Sequence, residues 1–359
     1  MLSAGPEPDL ESLFAPFSGA RKILVAVSGG PDSMALLALA ARWAHGKGRP
    51  RVEAATVDHG LRPQSRYEAR MVARAAKALG VPHHTLLWKG EKPKTRLQER
   101  ARDARYALLD ACAKKIGADT LFTAHHADDQ VETILFRMLR GSGVAGLAGM
   151  AMIVRRGDIM HARPLLALPK TALVDYCQRK KIEFVRDPSN EDPRFARTAM
   201  RRLAPVLAAE GLGPREFARL ADRARGVDAA LDYLVAKTVP DTAQPDSENR
   251  ISIDLAGLRD APAEIFTRLL NRAIPRLSGD RPRLDRTESL ADRLACALQA
   301  GKPVRATLGG ALTRLDRKGK LTLEPEGPRK RGRVHASDTF SERDGEIDPP
   351  SLGKRGREP

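Results

Sequence analysis

Cysteine is scarce in this sequence: Cys112, Cys177 and Cys296 are the only three in 359 residues. They lie far apart, form no CxxC or other metal spacing, and an odd count does not build a disulfide framework. Reduced, mostly buried thiols are the expectation. Aromatic residues make up only 4% of the chain, so a core has to be assembled from Ala, Leu and Val; the 42% hydrophobic content suffices for one. Nowhere is there the run of about 18 apolar residues that a membrane-spanning helix needs. No charged n-region leads into an apolar h-region, and no lipid signal or basic amphipathic helix offers a membrane anchor. These absences predict a soluble, cytoplasmic protein with no membrane partner. Acidic residues are outnumbered by basic ones, 45 to 62, a net charge of +17. Such an excess favours a polyanionic partner, because neutralising phosphates releases condensed counterions. The Ala, Arg and Gly bias of the whole composition keeps that argument modest.

The pattern along the chain divides it. Up to residue 125, the continuous apolar run at 22–27, the segments 52–57 and 120–124 and a weaker one at 83–88 read as strands, and helical stretches alternate with them at 32–43, 64–79 and 95–116. Repeated βα units of this length imply an α/β fold with a parallel, doubly wound sheet. Ligands of such sheets sit outside the carboxyl ends of the strands. Further on, residues 128–140 read as a helix, 141–150 as a glycine-rich loop, 152–165 as a short hairpin turning at Gly157-Asp158, and 169–181 as a helix. Residues 187–194 carry loop chemistry (Asp-Pro, Ser-Asn, Asp-Pro). A smaller, mainly helical and Arg-rich second domain is expected over 203–324, ending in a small meander at 304–323. Residues 1–20 read as an N-terminal extension. Residues 325–359 read as a charged, disordered tail, too poor in apolar side chains to offset the entropy of ordering.

The sharpest local signal is Ser28-Gly29-Gly30-Pro31-Asp32-Ser33. It follows a strand and opens a helix, so backbone N–H groups and the positive helix end converge on one anion site. Gly29 and Gly30 allow close backbone approach. Pro31 suits the first helical turn. Ser28 and Ser33 can donate hydroxyls to phosphate oxygens. The lysine of a kinase-type phosphate loop is missing. Asp32 stands there instead, where a carboxylate fits if it meets a phosphate through Mg²⁺. The segment resembles the SGGxDS motif of the PP-loop ATP pyrophosphatases. That resemblance implies an adenine nucleotide alpha hydrolase-like fold and cleavage of ATP between its α and β phosphates.

Seven further segments occur in the order found in one branch of that superfamily: Asp58-His59-Gly60-Leu61-Arg62, 101–106 with Arg102 and Arg105, AHHADDQVET at 124–133, RGSGVAGLAGM at 140–150, Arg163-Pro164-Leu165-Leu166, Asp187-Pro188-Ser189-Asn190, and 194–201. Together they resemble the tRNA(Ile)-lysidine synthases over residues 20–202, a little over half the chain. The expected catalytic domain is therefore residues 21–202. The resemblance implies ATP and Mg²⁺, L-lysine, and a tRNA(Ile) with a CAU anticodon. Its wobble cytosine would be adenylated and the AMP then replaced by lysine. It also implies that Arg197, in the last segment, meets RNA.

The residues themselves agree. A helix that includes His125 puts His125, Asp129 and Glu132 on one face. Two carboxylates there suit the ammonium groups of a lysine. Either Asp129 or Glu132 could take the proton that the attacking ε-amine must lose, and His125 could contact the nucleotide or the base. Arg105 and Arg140 are candidates to neutralise pyrophosphate or orient the α-phosphate. Asp58 is expected to orient His59 and the adjacent turn. A zinc site lacks usable third and fourth ligands. Two rival functions are a PP-loop tRNA thiolase, which needs a reactive cysteine or a cluster-binding set, and a non-catalytic RNA-binding protein. None of the three cysteines falls in a motif, and the phosphate loop with its acid-rich helix argues against the second.

Overall fold

In a computed structural model, the structure describes residues 7–60, 65–90, 97–185, 196–238 and 244–327. The Asp187-Pro188-Ser189-Asn190 segment, the side chain of Arg197 and the tail beyond residue 327 lie outside the described residues. The first unit runs α1 (Leu10–Phe14), β1 (Lys22–Ala26), α2 (Pro31–Ala44), β2 (Arg51–Asp58), α3 (Ser65–Ala78), β3 (His83–Leu87), α4 (Leu97–Ile116), β4 (Thr120–Phe122), α5 (Ala127–Leu139), α6 (Val144–Leu147), β5 (Ile153–Arg156), β6 (Ile159–Ala162) and α7 (Lys170–Arg179). Its six strands form one sheet in the order β3-β2-β1-β4-β6-β5, parallel except for the edge strand β5. The expected α/β fold is thus observed, with the hairpin supplying the last two strands.

The apolar run of β1 is buried on both faces because helices cover both. Ile23 and Val25 face a core shared with α1, α2, α3 and α7. Leu24 faces the opposite core, built with Leu109 and Ala113 of α4. Alternation along the strand assigns each side chain to a face. Residues 7–20, expected as an extension, carry α1 and a 3₁₀ turn at Ala15–Phe17 whose Phe14 and Phe17 are fully buried. Phe14 stacks on Trp43 at 5.2 Å and on Phe122 at 5.8 Å, and Phe17 meets Phe122 edge-on at 4.8 Å. Four aromatics thus meet where α1 closes the first core. Truncating Phe14 to Ala is expected to destabilise the fold by about 3–5 kcal/mol, read as a lower urea midpoint; an unchanged midpoint would detach α1 from the core.

The second part runs α8 (Ala196–Ala209), α9 (Pro214–Thr238), β7 (Ile251–Asp254), α10 (Ala263–Ser278), α11 (Leu284–Gln299), β8 (Val304–Leu308), β9 (Ala311–Leu315) and β10 (Lys320–Pro325). Here α10 and α11 pack on an antiparallel sheet ordered β7-β10-β9-β8. The meander was expected; β7 was not, because its pairing partner β10 lies at the far end of the domain. Pro325, placed in the expected tail, pairs with Ala311 at the end of β10. The 25-residue α9, about 37 Å long, joins the two parts. Phe217 and Ala221 near its start pack with Val131, Ile134 and Leu135 of α5 and Met200 of α8. Val235 near its end enters the second core. Buried Arg268 of α10 ties α9 down through Asp228 at 2.8 Å and Asp232 at 3.0 Å. Among the described residues no helix is long and apolar enough to cross a membrane.

Candidate active site

Strand order reverses between β1 and β4: β1 continues to β2 on one side, β4 to β6 on the other. This switch point opens a crevice at the carboxyl edge of the sheet. The Ser28–Ser33 loop leaves β1 on one wall, and the segment from Thr123 leaves β4 on the other.

The loop is held from within. Gly29 has φ +89°, a conformation that favours glycine, and its carbonyl accepts from the Val185 N–H at 2.9 Å. A Cβ there would come 3.3 Å from Met71. Pro31 is the first residue of α2, with Gly30 as N-cap, so the first-turn N–H groups have no intrahelical acceptor and are available to an anion. Ser33 is buried. Its hydroxyl accepts from the Ser28 N–H at 3.1 Å and donates to the Gly30 carbonyl at 3.0 Å. Of the two expected phosphate donors, Ser33 braces the loop from within, and Ser28, 3.2 Å from it, is exposed.

Asp32, in the first turn of α2, faces α5. Burial raises its pKa, and the nearby Asp129 and Asp128 add to the effect against His126 and Lys170. Its Oδ1 is buried and has no hydrogen-bond partner among the described residues. Its Oδ2 lies 3.7 Å from His126 Nε2. His126 is the N-cap of α5 and is buried. Asp129 Oδ2 stands 3.4 Å from the same Nε2, and Asp128 Oδ2 stands 3.4 Å from Nδ1. Burial alone would lower the His126 pKa; the three carboxylates outweigh it and raise it. In return, His126 holds Asp128 below the usual carboxylate range. Asp128 also accepts the Lys170 N–H at 2.8 Å, tying α7 to this end of α5. Asp129 accepts the His126 backbone N–H at 3.1 Å and so caps the helix as well.

The histidine that lies among these three carboxylates is His126, next to the His125 singled out from the sequence. The helix starts after His125, which pairs through Nδ1 with Thr123 Oγ1 at 3.0 Å and does not share a helical face with Asp129 and Glu132. His126 and Asp128 were missed. Acidic residues in a first turn and an Asp at N3 were the available signals, but histidine is not among the favoured N-caps. Glu132 is buried and accepts from Arg201 Nε of α8 at 2.6 Å; no partner for it was evident from spacing. Arg105 is exposed on α4 and reaches His59 Nε2 at the end of β2, 3.3 Å away. Asp58 accepts the Gly60 N–H at 2.8 Å and the Ser65 hydroxyl at 2.5 Å, bracing the turn after β2. Arg140 does not reach the phosphate loop. It is the C-cap of α5, its guanidinium 4.2 Å over Phe136. Thirteen residues at 1.5 Å each put it about 20 Å along the axis from the His126 end.

A PP-loop domain profile matches residues 6–207. Over 341 residues the chain is 46% identical to the tRNA(Ile)-lysidine synthase of a Bradyrhizobium strain, covering 90% of this chain and 95% of that one. With the same enzyme of a Methylobacterium strain it shares 48% over 316 residues, covering 86% and 90%. The chain belongs to the tRNA(Ile)-lysidine synthases. Similarity thus extends well beyond the catalytic motifs into the second part of this synthase-family chain. Among solved structures, a U34-tRNA thiolase from Methanococcus maripaludis with its 4Fe–4S cluster superposes with a TM-score of 0.52 at 14% identity, covering 60% of this chain and 77% of that one. At that identity the likeness is one of fold. Cys112, Cys177 and Cys296 sit in three different helices, two buried and one exposed. Among the described residues no group of three or more His, Cys, Asp and Glu could hold a metal ion.

Proposed function

We propose that this ATP-dependent ligase joins lysine to C2 of the wobble cytosine of a CAU-anticodon tRNA(Ile). The reading rests on the family and is carried by one observation: the crevice brings Asp32 of the phosphate-loop helix and Asp129 of α5 onto one buried histidine. In the first step the cytosine O2 attacks the α-phosphorus of ATP and pyrophosphate leaves. In the second the lysine ε-amine attacks C2, gives up a proton and displaces AMP. Ser28, Gly29, Gly30, Pro31 and the first turn of α2 would cradle the phosphates. Arg105, which reaches His59 at the end of β2, would orient them from that side.

The donor set fits Mg²⁺ in the way that ion is usually held, by one or two carboxylates completed by substrate phosphates and water. Asp32, with one buried oxygen lacking a partner, would be its protein ligand. Bound there, Mg²⁺ would neutralise charge developing on the departing pyrophosphate. His126, favoured as imidazolium, lowers the repulsion among Asp32, Asp128 and Asp129 and keeps them in place. Asp129 and Glu132 are the proposed contacts for the lysine ammonium groups, and an ammonium at Glu132 shares it with Arg201. Arg197 is the proposed RNA contact at the start of α8, and residues 203–324 the proposed tRNA-binding domain.

Mass spectrometry of tRNA(Ile) incubated with the protein, ATP and lysine tests the whole reading: the cytidine is expected to gain one lysine less one water, and an unmodified tRNA under conditions of ATP turnover overturns it. Asp129→Asn removes a ground-state contact to the substrate. It is expected to raise the lysine concentration needed for half-maximal rate by about 10-fold or more, with ATP dependence unchanged. The amide oxygen can still cap α5, so the fold should hold. Glu132→Gln should show the same lysine defect plus a stability loss of about 1–3 kcal/mol, because Arg201 keeps its charge when its partner is neutralised; its 39% exposure softens the penalty. If both variants keep the wild-type lysine dependence, the lysine site lies elsewhere.

A further inference from the structure

Outside the crevice, a second cluster of charge stands on the other face of the sheet, where α4 meets the β5–β6 hairpin. Tyr106 of α4 is buried. Arg102 lies with its Cζ 5.2 Å from the Tyr106 ring centre, and Arg156 of β5 lies 5.0 Å from it. The ring stacks on buried His161 at 5.6 Å, and His161 is fixed by Asp110 at 2.7 Å. Arg163, directly after β6, donates to the Ala151 carbonyl at 2.7 Å, and its Nε is buried without a hydrogen-bond partner. Burial pushes the Arg163 pKa down, and the charges of Arg102 and Arg156 push the same way against Tyr106.

Three guanidiniums from three places in the chain are thus gathered around one ring. Among the described residues none of the three forms an ion pair, and Asp110 is engaged by His161. Like charges brought together cost free energy unless an anion repays it. An edge strand does need charge against self-pairing, but Arg155 on β5 meets that need without help from α4. The cluster also has a position. Ala162 pairs with Phe122 in parallel register, so Arg163 stands level with Thr123 at the carboxyl edge, one strand spacing or about 5 Å from the wall that carries His126.

We propose that Arg102, Arg156 and Arg163, set around Tyr106, form a phosphodiester-binding site on the catalytic domain that grips the tRNA backbone beside the nucleotide entering the crevice. Guanidiniums suit phosphates because they present paired donors and keep their charge. Packing on Tyr106 holds two of them in place before the RNA arrives, which reduces the entropy lost on binding. The site deepens the reading of tRNA as substrate and rests on it.

The test is the affinity of the full chain for unmodified tRNA(Ile) across a salt series, for the wild type and for Arg102→Gln/Arg156→Gln. Loss of two phosphate contacts is expected to flatten the log–log salt slope by about 2 and to weaken binding up to ~60-fold near 0.1 M salt. ATP affinity should not change. An unchanged slope and affinity overturn the site, and so does a fall in ATP affinity with tRNA binding intact, which would give the cluster to the nucleotide. Should the double variant melt early, Arg102→Gln alone, on an exposed turn of α4, runs the same test at half scale, with a slope change of about 1 expected and none overturning it. Failure of the wild type to bind tRNA or to form the lysine adduct would strike the substrate reading itself, a different result from a variant that binds like the wild type.

Discussion

Asp32→Asn is expected to reduce ATP-dependent pyrophosphate release in the presence of tRNA by about 10³-fold or more, the scale of several kcal/mol of lost charge stabilisation. The same variant should be folded, and at neutral pH at least as stable as the wild type. The sign follows from the environment of Asp32. Burial raises its pKa above the ordinary 3.8, so the native state prefers the protonated acid. The stability tied to that preference is fully present below the unfolded value and is lost as pH rises through the raised folded one. At neutral pH the ionised carboxylate therefore costs stability, and an amide of the same shape removes that cost. The gain in Tm should shrink as pH is taken below about 4. His126 runs in parallel: its raised pKa means that stability from the imidazolium and its three carboxylates is present below about 6.5 and is lost as pH rises through the folded value. A folded Asp32→Asn protein with near-normal pyrophosphate release would falsify the assigned role.

Replacing Arg215, Arg219 and Arg223 together by Gln is expected to weaken tRNA binding up to ~500-fold near 0.1 M salt and to flatten the salt slope by as much as about 3, while ATP affinity hardly moves. The three recur every four residues along α9 and are exposed, opposite the buried Phe217, Ala221 and Ala224. Two acids near this face are engaged elsewhere: Glu216 accepts the Gly213 N–H at 3.2 Å and Asp222 pairs with Arg225 at 2.6 Å. Among the described residues none of the three arginines forms an ion pair. Because α9 packs on α5 at one end and on the second core at the other, RNA held along it would be held relative to the crevice. Unchanged affinity and slope would reduce the face to plain solvation and leave the cluster around Tyr106 as the main phosphate contact.

Several features were legible because they are local. The apolar run of β1, the glycines after it and the proline that opens α2 each favour their conformation within a few residues, and together they place an anion site at a strand's carboxyl end. The hairpin turning at Gly157-Asp158 and the helices of the second part follow from turn chemistry and periodicity in the same way. The errors share another cause. The start of α5 is set by contacts from α7 and its approach: the Ala127 N–H reaches the Leu168 carbonyl at 2.9 Å, and Asp128 takes the Lys170 N–H. Those bonds make His126 the cap and leave His125 outside the helix, a shift of one residue that no pattern in AHHADDQ could announce.

By itself, then, the sequence determined the strands, the phosphate loop, the acid-rich start of α5 and the family, since each rests on residues close together or on motifs in a set order. Only the tertiary structure decided which groups meet. Asp32 and His126 are 94 positions apart in the sequence and stand at 3.7 Å; Glu132 and Arg201 are joined across two helices; β7 waits for β10; Phe14 and Phe17 complete a core that the rest of the first unit leaves open on one side. Each of these contacts forms only when the sheet has brought remote strands side by side, and the free energy that selects it comes from burying the surrounding apolar surface rather than from any preference of the residues that touch.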